Sequence, residues 1–323
     1  MPFDSFIGNH KAVQRLRTKL HERRFPHGLI FAGPEGVGKL TLATSIAKTL
    51  NCKALNSNDF CGECSSCARI DSGTYPDVMT VTVEDDATLI KIAQVRQVLS
   101  TLEFKAMEGS SKVFIINPAN LLNAEAANAL LKALEEPPDN SYFILITVNI
   151  QELLLTIRSR CQVYHFSPLT LDEIRAQGIT DELVVRWSQG SIGRARSLDA
   201  AAIKQQREPL LSFLESSANA NDETFREMLT AGAELSRARQ DFAGHLSILA
   251  ILLGDLMLLA ENLPERVVNI DIQDRLQRLA LSVPSDRWPK VADFLRTMEL
   301  SMKGNINRQI LTDVLSLVTA GIS

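Results

Sequence analysis

Two groups of residues in this chain have the types and spacing that chemistry requires. The first is Gly33-Pro34-Glu35-Gly36-Val37-Gly38-Lys39-Leu40-Thr41, which follows the apolar run Leu29-Ile30-Phe31-Ala32 and opens a helical pattern from Leu42 to Leu50. Strand, glycine-rich loop and helix in that order are the setting of a phosphate-binding loop. The glycines let backbone N–H groups curl around an anion at a helix N-terminus, and Lys39 is placed to reach outer phosphates. The position after the lysine, where a Ser or Thr hydroxyl would hold Mg²⁺, is Leu40. Thr41 comes one residue late, about 100° further around the helix. Gly33, Gly36, Gly38, Lys39 and Thr41 are the expected phosphate contacts of a vestigial site.

The partner strand fails in the same direction. Lys112-Val113-Phe114-Ile115-Ile116 reads as a buried strand, and in a phosphate-loop ATPase it should end in acids that organise Mg²⁺ and the attacking water. It ends instead in Asn117-Pro118-Ala119-Asn120. Asn117 has the shape of Asp without its charge, and Pro118 cannot act as a base. With three catalytic parts missing together, ATP hydrolysis is not expected, and ATP binding is left open.

The second group is Cys52-x8-Cys61-x2-Cys64-x2-Cys67, four of the five cysteines in the chain. Four thiolates are the ligand set of a closed tetrahedral zinc site, and Asn51, Asn56, Asn58, Asp59, Gly62 and Ser65 supply turns around them. Two alternatives stand beside structural Zn²⁺: four unrelated thiols, or an iron–sulfur cluster, whose ferredoxin-type run would continue with a fourth Cys three residues on. Cys161 stands apart and is expected to be an ordinary buried thiol.

The elements that must position these groups follow from the pattern of the whole chain. Its 323 residues, 45% hydrophobic, suffice for two or three domains. Apolar runs at Leu29–Ala32, Val78–Val83, Val113–Ile116, Phe143–Val148 and Gln162–Phe166 alternate with helical patterns, which predicts a parallel α/β sheet with helices on both faces over residues 1–166. Residues 167–206 are expected to form a small helical lid around the turn Ser188-Gln189-Gly190-Ser191-Ile192-Gly193, and 207–323 an all-helical domain, with Pro284 and Pro289 at helix boundaries. The N-terminus, Met1-Pro2-Phe3-Asp4, lacks a signal pattern. The apolar stretch Leu246–Leu259 is interrupted by Gly254 and Asp255 and reads as a buried helix too short for a bilayer. A cytoplasmic protein is expected, and its net charge of −4 excludes a strongly basic nucleic-acid binder.

Several motifs follow in order: Phe3-x-x-Phe6-Ile7-Gly8, Pro26-His27-Gly28-Leu29-Ile30-Phe31, the phosphate loop, the cysteine knuckle, Ala126-Ala127-Asn128-Ala129-Leu130-Leu131-Lys132-Ala133-Leu134-Glu135-Glu136-Pro137-Pro138, and Thr156-Ile157-Arg158-Ser159-Arg160-Cys161. Together they resemble the replicative clamp loaders of bacteria, AAA+ proteins of DNA polymerase III. The likeness is strong from residue 3 to about 198 and weaker beyond, where it rests on Gly304-Asn305-Ile306-Asn307-Arg308-Gln309-Ile310-Leu311.

This resemblance implies a site for a partner as well as a site of the chain's own. Ser159-Arg160-Cys161 matches the tripeptide whose Arg reaches the ATP site of the adjacent subunit, an arginine finger in trans, with Arg158 a competitor for the role. Gly193-Arg194 matches the lid arginine and Thr147 the first sensor position. A core helix with a solvated acidic end explains 126–136 equally well, and Glu84-Asp85-Asp86 reads as a solvated acidic loop, so no catalytic acid or base is assigned. The implied function is a non-hydrolysing stator in a hetero-oligomeric ring with motor and delta-like subunits, acting on the sliding clamp and primer-template DNA, with 207–323 as the oligomerisation collar and no membrane contact. Its alternatives are an ATPase motor of the same loader and a stand-alone AAA+ regulator.

Overall fold

A computed structural model describes residues 3–22, 24–54, 59–85, 87–218, 230, 242–301 and 307–322; Asn56, Asn58, Asp86 and Gly304-Asn305-Ile306 lie outside them. By Cα proximity these fall into two compact units, one of residues 1–178 with 189–196, the other of 179–188 with 197–323. The segment 167–206 expected as a lid thus contributes to both.

The first unit is built on five parallel strands, β1 (Gly28–Ala32), β2 (Val78–Val81), β3 (Lys112–Ile116), β4 (Ser141–Thr147) and β5 (Gln162–His165), in the order β2-β3-β4-β1-β5. All residues of β1 and β3 are buried, because a parallel sheet is covered on both faces and its strands need apolar residues at every position. The period of two then sorts them. Leu29, Phe31, Val113, Ile115, Ile144 and Ile146 meet helices α1 (His10–His21) and α2 (Lys39–Asn51), while Ile30, Phe114, Ile116, Phe143 and Leu145 meet α4 (Ile92–Leu102), α5 (Ala124–Glu135) and α6 (Leu155–Arg158). Helix α3 (Ser65–Asp71) leads out of the cysteine cluster. Asn123 caps α5 by accepting from the Ala126 amide at 2.8 Å, and Pro137 and Pro138 follow its last residue.

The register places the functional loops together. Ala32 pairs with Thr147, and the Gly33 amide donates to the Thr147 carbonyl at 3.1 Å. The ends of β1, β3 and β4 thereby share one edge, where the crevice of such sheets takes ligands. Helix α7 (Leu171–Arg175), capped by Thr170, and most of α9 (Ile192–Ser197) complete this unit.

The second unit packs α8 (Glu182–Trp187), α10 (Ala200–Ala218), α11 (Phe242–Ala260), α12 (Gln273–Ser282), α13 (Arg287–Ser301) and α14 (Arg308–Ala320) around one apolar core. The 206/207 junction expected from the sequence falls inside α10, a continuous helix that carries Pro209 in its interior. Proline there costs about 3 kcal/mol. Burying Leu210, Leu211, Phe213 and Leu214, each at about 1.5–3 kcal/mol, outweighs it. Helix α11 runs 19 residues, longer than its apolar stretch, and is long and apolar enough to cross a membrane by length and composition alone. Here Leu246, Leu249, Leu252, Leu253 and Leu256 make it the core helix of the unit.

Candidate functional site

The phosphate loop is held by contacts that only glycine permits. Gly36, at φ +70°, faces the segment preceding and opening α9: its carbonyl accepts from the Gly193 amide at 3.1 Å, and a Cβ on it would stand 2.0 Å from Ser191 Oγ. Lys39 is buried, and its ammonium donates to the carbonyls of Gly33 and Pro34. Burial pushes the Lys39 pKa down, against the nearby Glu35, which raises it. A cavity of about 430 Å³ opens beside the loop, lined by Lys39, Leu40, Thr41, Asn117, Pro118 and Thr147 among others.

Of the expected phosphate contacts, Gly36, Gly38, Lys39 and Thr41 line this cavity, and Gly33 does not. Leu40 and Thr41 both face it, so the apolar residue stands where a metal-holding hydroxyl would be. Glu35, on the loop itself, is the lining carboxylate. Asn117 and Pro118 line it as well, without a charge. The Thr147 hydroxyl is taken up by its own chain, donating to the Asn149 carbonyl at 2.9 Å and to Asn120 Oδ1 at 3.3 Å. Arg194 is not in the lining and donates to Gln189 Oε1 at 3.3 Å, whereas Arg196, which sequence reasoning passed over, is. No local pattern marks it: two residues beyond Arg194 on a helix, it stands about 200° around the axis, on another face.

Arg158 and Arg160 are separated by their partners. Arg158 donates to Gln151 Oε1 at 2.9 Å, while Arg160 contacts Glu135 at the end of α5. The acidic end of α5 is therefore ion-paired as well as solvated. Cys161 is buried against Gly28, and burial pushes its thiol up to about 12, which disfavours the reactive thiolate.

The four clustered cysteines do come together. Their sulfurs all lie within 4.8 Å of one another, with Cys52 at 3.6, 3.9 and 3.8 Å from Cys61, Cys64 and Cys67. Four sulfurs on a tetrahedron of 2.3 Å bonds are separated by about 3.8 Å. No disulfide links them. The Cys61 amide donates to Cys52 Sγ and the Cys64 amide to Cys61 Sγ, each at 3.3 Å, which favours thiolates. Burial opposes ionisation of Cys64, yet the Cys67 and Lys53 amides and neighbouring thiols prevail and draw it down to about 6. Buried Cys67 is pushed up. These four residues could hold one zinc ion, which would act there as a structural cross-link. The knuckle is fastened to the fold by Lys48 of α2, which pairs with Asp71 and lies 5.0 Å from the Phe60 ring.

A parallel sheet in the order β2-β3-β4-β1-β5, with a glycine-rich loop after β1, the neighbour of the central β4, and a helical C-terminal unit, has the AAA+ fold. The family model for the DNA polymerase III delta subunit matches residues 8–170, and the chain belongs to this clamp-loader family. DNA polymerase III subunit delta' of Escherichia coli is 30% identical over 315 residues, covering 94% of this chain and 91% of the relative. DNA polymerase III subunit tau of the same organism is 33% identical over 214 residues, covering 62% of this chain and 33% of the relative. The chain thus spans about a third of that relative. The crystal structure of a Thermotoga maritima DNA polymerase III gamma subunit-related protein aligns over 95% of this chain and 98% of its own at 17% identity and a TM-score of 0.40.

Proposed function

We propose that the chain is a delta-prime-like stator of the DNA polymerase III clamp loader, which supports ATP-driven loading of the sliding clamp on primed DNA and supplies Arg160 in trans to a neighbouring motor subunit. The observation that carries this reading is the lining of the phosphate-loop cavity: Leu40, Asn117 and Pro118 stand where a motor needs a hydroxyl and acids. A chain that cannot position Mg²⁺ or water gains nothing from a nucleotide, but a finger needs no site of its own. The extent of the delta' likeness supports the same assignment. In this reading 1–166 and 167–206 form the subunit interface, 207–323 the collar, Cys52, Cys61, Cys64 and Cys67 hold a structural zinc, and the protein works in the cytoplasm with motor and delta-like subunits. Of the residues proposed for an anion, Gly36, Gly38, Lys39 and Thr41 line the cavity, while Gly33 and Arg194 stand outside that lining and would have to approach it.

The test is Arg160→Ala in a loader reconstituted from full-length subunits. Gel filtration should show normal assembly, and ATPase of the same sample should fall. Supplied arginines are worth on the order of 10³–10⁵ at the site they serve, diluted here by the ring's other sites. Unchanged ATPase in a fully assembled mutant complex would remove Arg160 from the mechanism.

A further inference from the structure

The residue that the proposed function requires to reach another chain is held back by its own. Arg160 Nη1 donates to the Thr156 carbonyl at 2.9 Å and to Ser159 Oγ at 3.2 Å, and Nη2 lies 2.5 Å from Glu135 Oε1. Thr156 is one turn back along the chain, so the guanidinium is folded along its own segment. Glu135 comes from a different element, the last residue of α5. Its presence there is not a helix requirement, since a carboxylate at a helix C-terminus opposes the macrodipole and Glu136 adds a second. A cation against that end relieves both.

We propose that Glu135 is the positioning residue of Arg160: it retains the guanidinium in a withdrawn conformation and competes for it with the phosphates of the neighbouring subunit, an inference that rests on reading Arg160 as a finger. The two side chains are 33% and 48% exposed. A pair so exposed biases a two-state equilibrium by no more than about fivefold. Triphosphate oxygens carry more charge and match the planar fork of arginine, so they draw the side chain out once a neighbour presents them. Retention by Glu135 is therefore a threshold that keeps the finger from engaging an imperfectly seated nucleotide.

The experiment compares wild type, Glu135→Gln, Arg160→Ala and the double variant in the reconstituted loader, without clamp or DNA, with assembly and ATPase read on each sample. Glutamine keeps the length of Glu135 and removes the charge. Glu135→Gln should hydrolyse ATP faster, by up to about fivefold, Arg160→Ala should be slow, and the double variant should be as slow as Arg160→Ala. A structural role for Glu135 predicts no gain that depends on Arg160. Equal or slower turnover in Glu135→Gln, with Arg160→Ala still slow, overturns the retention alone; so does a double variant that keeps the gain. If Arg160→Ala matches wild type, the finger reading itself falls and takes retention with it. Should Glu135→Gln fail to assemble, Glu135→Ala, which removes the carboxylate itself, decides: a gain that Arg160→Ala abolishes supports retention, and unchanged turnover overturns it.

Discussion

Phe6 packs against Gly38 so closely that a Cβ on that glycine would stand 2.8 Å from Phe6 Cζ. Gly38 is the residue before Lys39 and holds φ +93°. The N-terminal segment thus seats the phosphate loop, and it is itself fastened to the cysteine knuckle: the Phe3 amide donates to Asp59 Oδ2 at 2.8 Å, and Phe3 meets Phe60 edge-on at 6.5 Å. Loop, segment and knuckle form one run of contacts.

Gly38→Ala should accordingly destabilise the protein twice over, by about 1–3 kcal/mol for the left-handed backbone and a similar amount for overpacking Phe6. Gly62→Ala is the control, since Gly62 has φ +81° but open space where a Cβ would go. Urea denaturation should rank Gly38→Ala well below Gly62→Ala, and in a double-mutant cycle with Phe6→Ala, itself costly because Phe6 is a core residue, the two losses should be less than additive by the packing part. Equal midpoints for the two glycine variants would remove the role of Phe6.

How much was legible beforehand follows from which forces act locally. Strands β1, β3 and β4 were readable because a doubly covered parallel sheet demands unbroken apolar runs, the half-exposed edge strands β2 and β5 because they fall in the same alternation with helical patterns, and the end of α5 because Pro137 and Pro138 follow it. The four cysteines were readable because their spacing is itself the geometry of a knuckle. The expected junction at 206 falls inside α10, which stays continuous through Pro209 by tertiary burial that no local pattern records. Glu135 against Arg160 was hidden for the same reason: a helix end meets a loop across the fold, and neither residue announces the other. Arg196 was passed over because its exposure to the cavity depends on where α9 sits.

Asp77 offers a pH prediction of definite sign. Its carboxylate is buried and accepts from the amides of Met107, Glu108 and Gly109 at 2.7, 2.8 and 2.8 Å. Burial raises its pKa, but those amides and Lys112 outweigh burial, so the folded value lies below the ordinary one. A depressed carboxylate contributes stability that is fully present above its unfolded pKa, about 3.9, and is lost as pH falls through the lower folded value. Asp77→Asn should therefore cost about 1.5–3 kcal/mol at pH 7, with the gap to wild type closing below about pH 4. A gap that persists at low pH would mean that charge is not what anchors residues 107–109.

In the second unit Asn269, fully buried, joins three elements. Its Oδ1 accepts from Trp187 Nε1 at 2.9 Å and Arg207 Nη1 at 2.8 Å, and its Nδ2 donates to Asp255 Oδ2 at 2.7 Å. Arg207 keeps Asp271 as a partner at 2.7 Å, but Trp187 and one lone pair of Asp255 would be left unmatched by Asn269→Ala. About 2–6 kcal/mol should be lost, about 1–3 for each buried group left unmatched, whereas an exposed substitution such as Gln205→Ala should stay within about 0.5 kcal/mol. Thermal unfolding of both variants checks this.

Metal analysis of the purified chain should return about one zinc, bound as a tetrathiolate. Cys64→Ser should lower metal content and expose Phe60 and Phe3 to proteolysis near the knuckle while the sheet remains folded. Four thiols that alkylate freely in the native protein, with no metal by elemental analysis, would end the zinc assignment and leave the cluster as ordinary cysteines.

The isolated chain should show no Mg²⁺-dependent ATPase above background. Catalysis at a phosphate loop needs a metal held by a hydroxyl and an acid, and a water oriented by a further polar group. Leu40 offers no oxygen, Asn117 no charge, and Pro118 neither, while the hydroxyl of Thr147 is already committed to the Asn149 carbonyl. Thr41 lines the cavity, so it is the residue through which residual activity would arise. Anion binding is a separate property: Lys39 would have to give up the Gly33 and Pro34 carbonyls to meet a phosphate, and its burial, which disfavours the charged form, would be relieved by the anion. Calorimetry with ATP, with and without Mg²⁺, should therefore show any binding to be independent of the metal. Turnover that disappears in Lys39→Ala and in Thr41→Ala would mean that Thr41 holds Mg²⁺ from its later position, and that the chain is a motor rather than a stator.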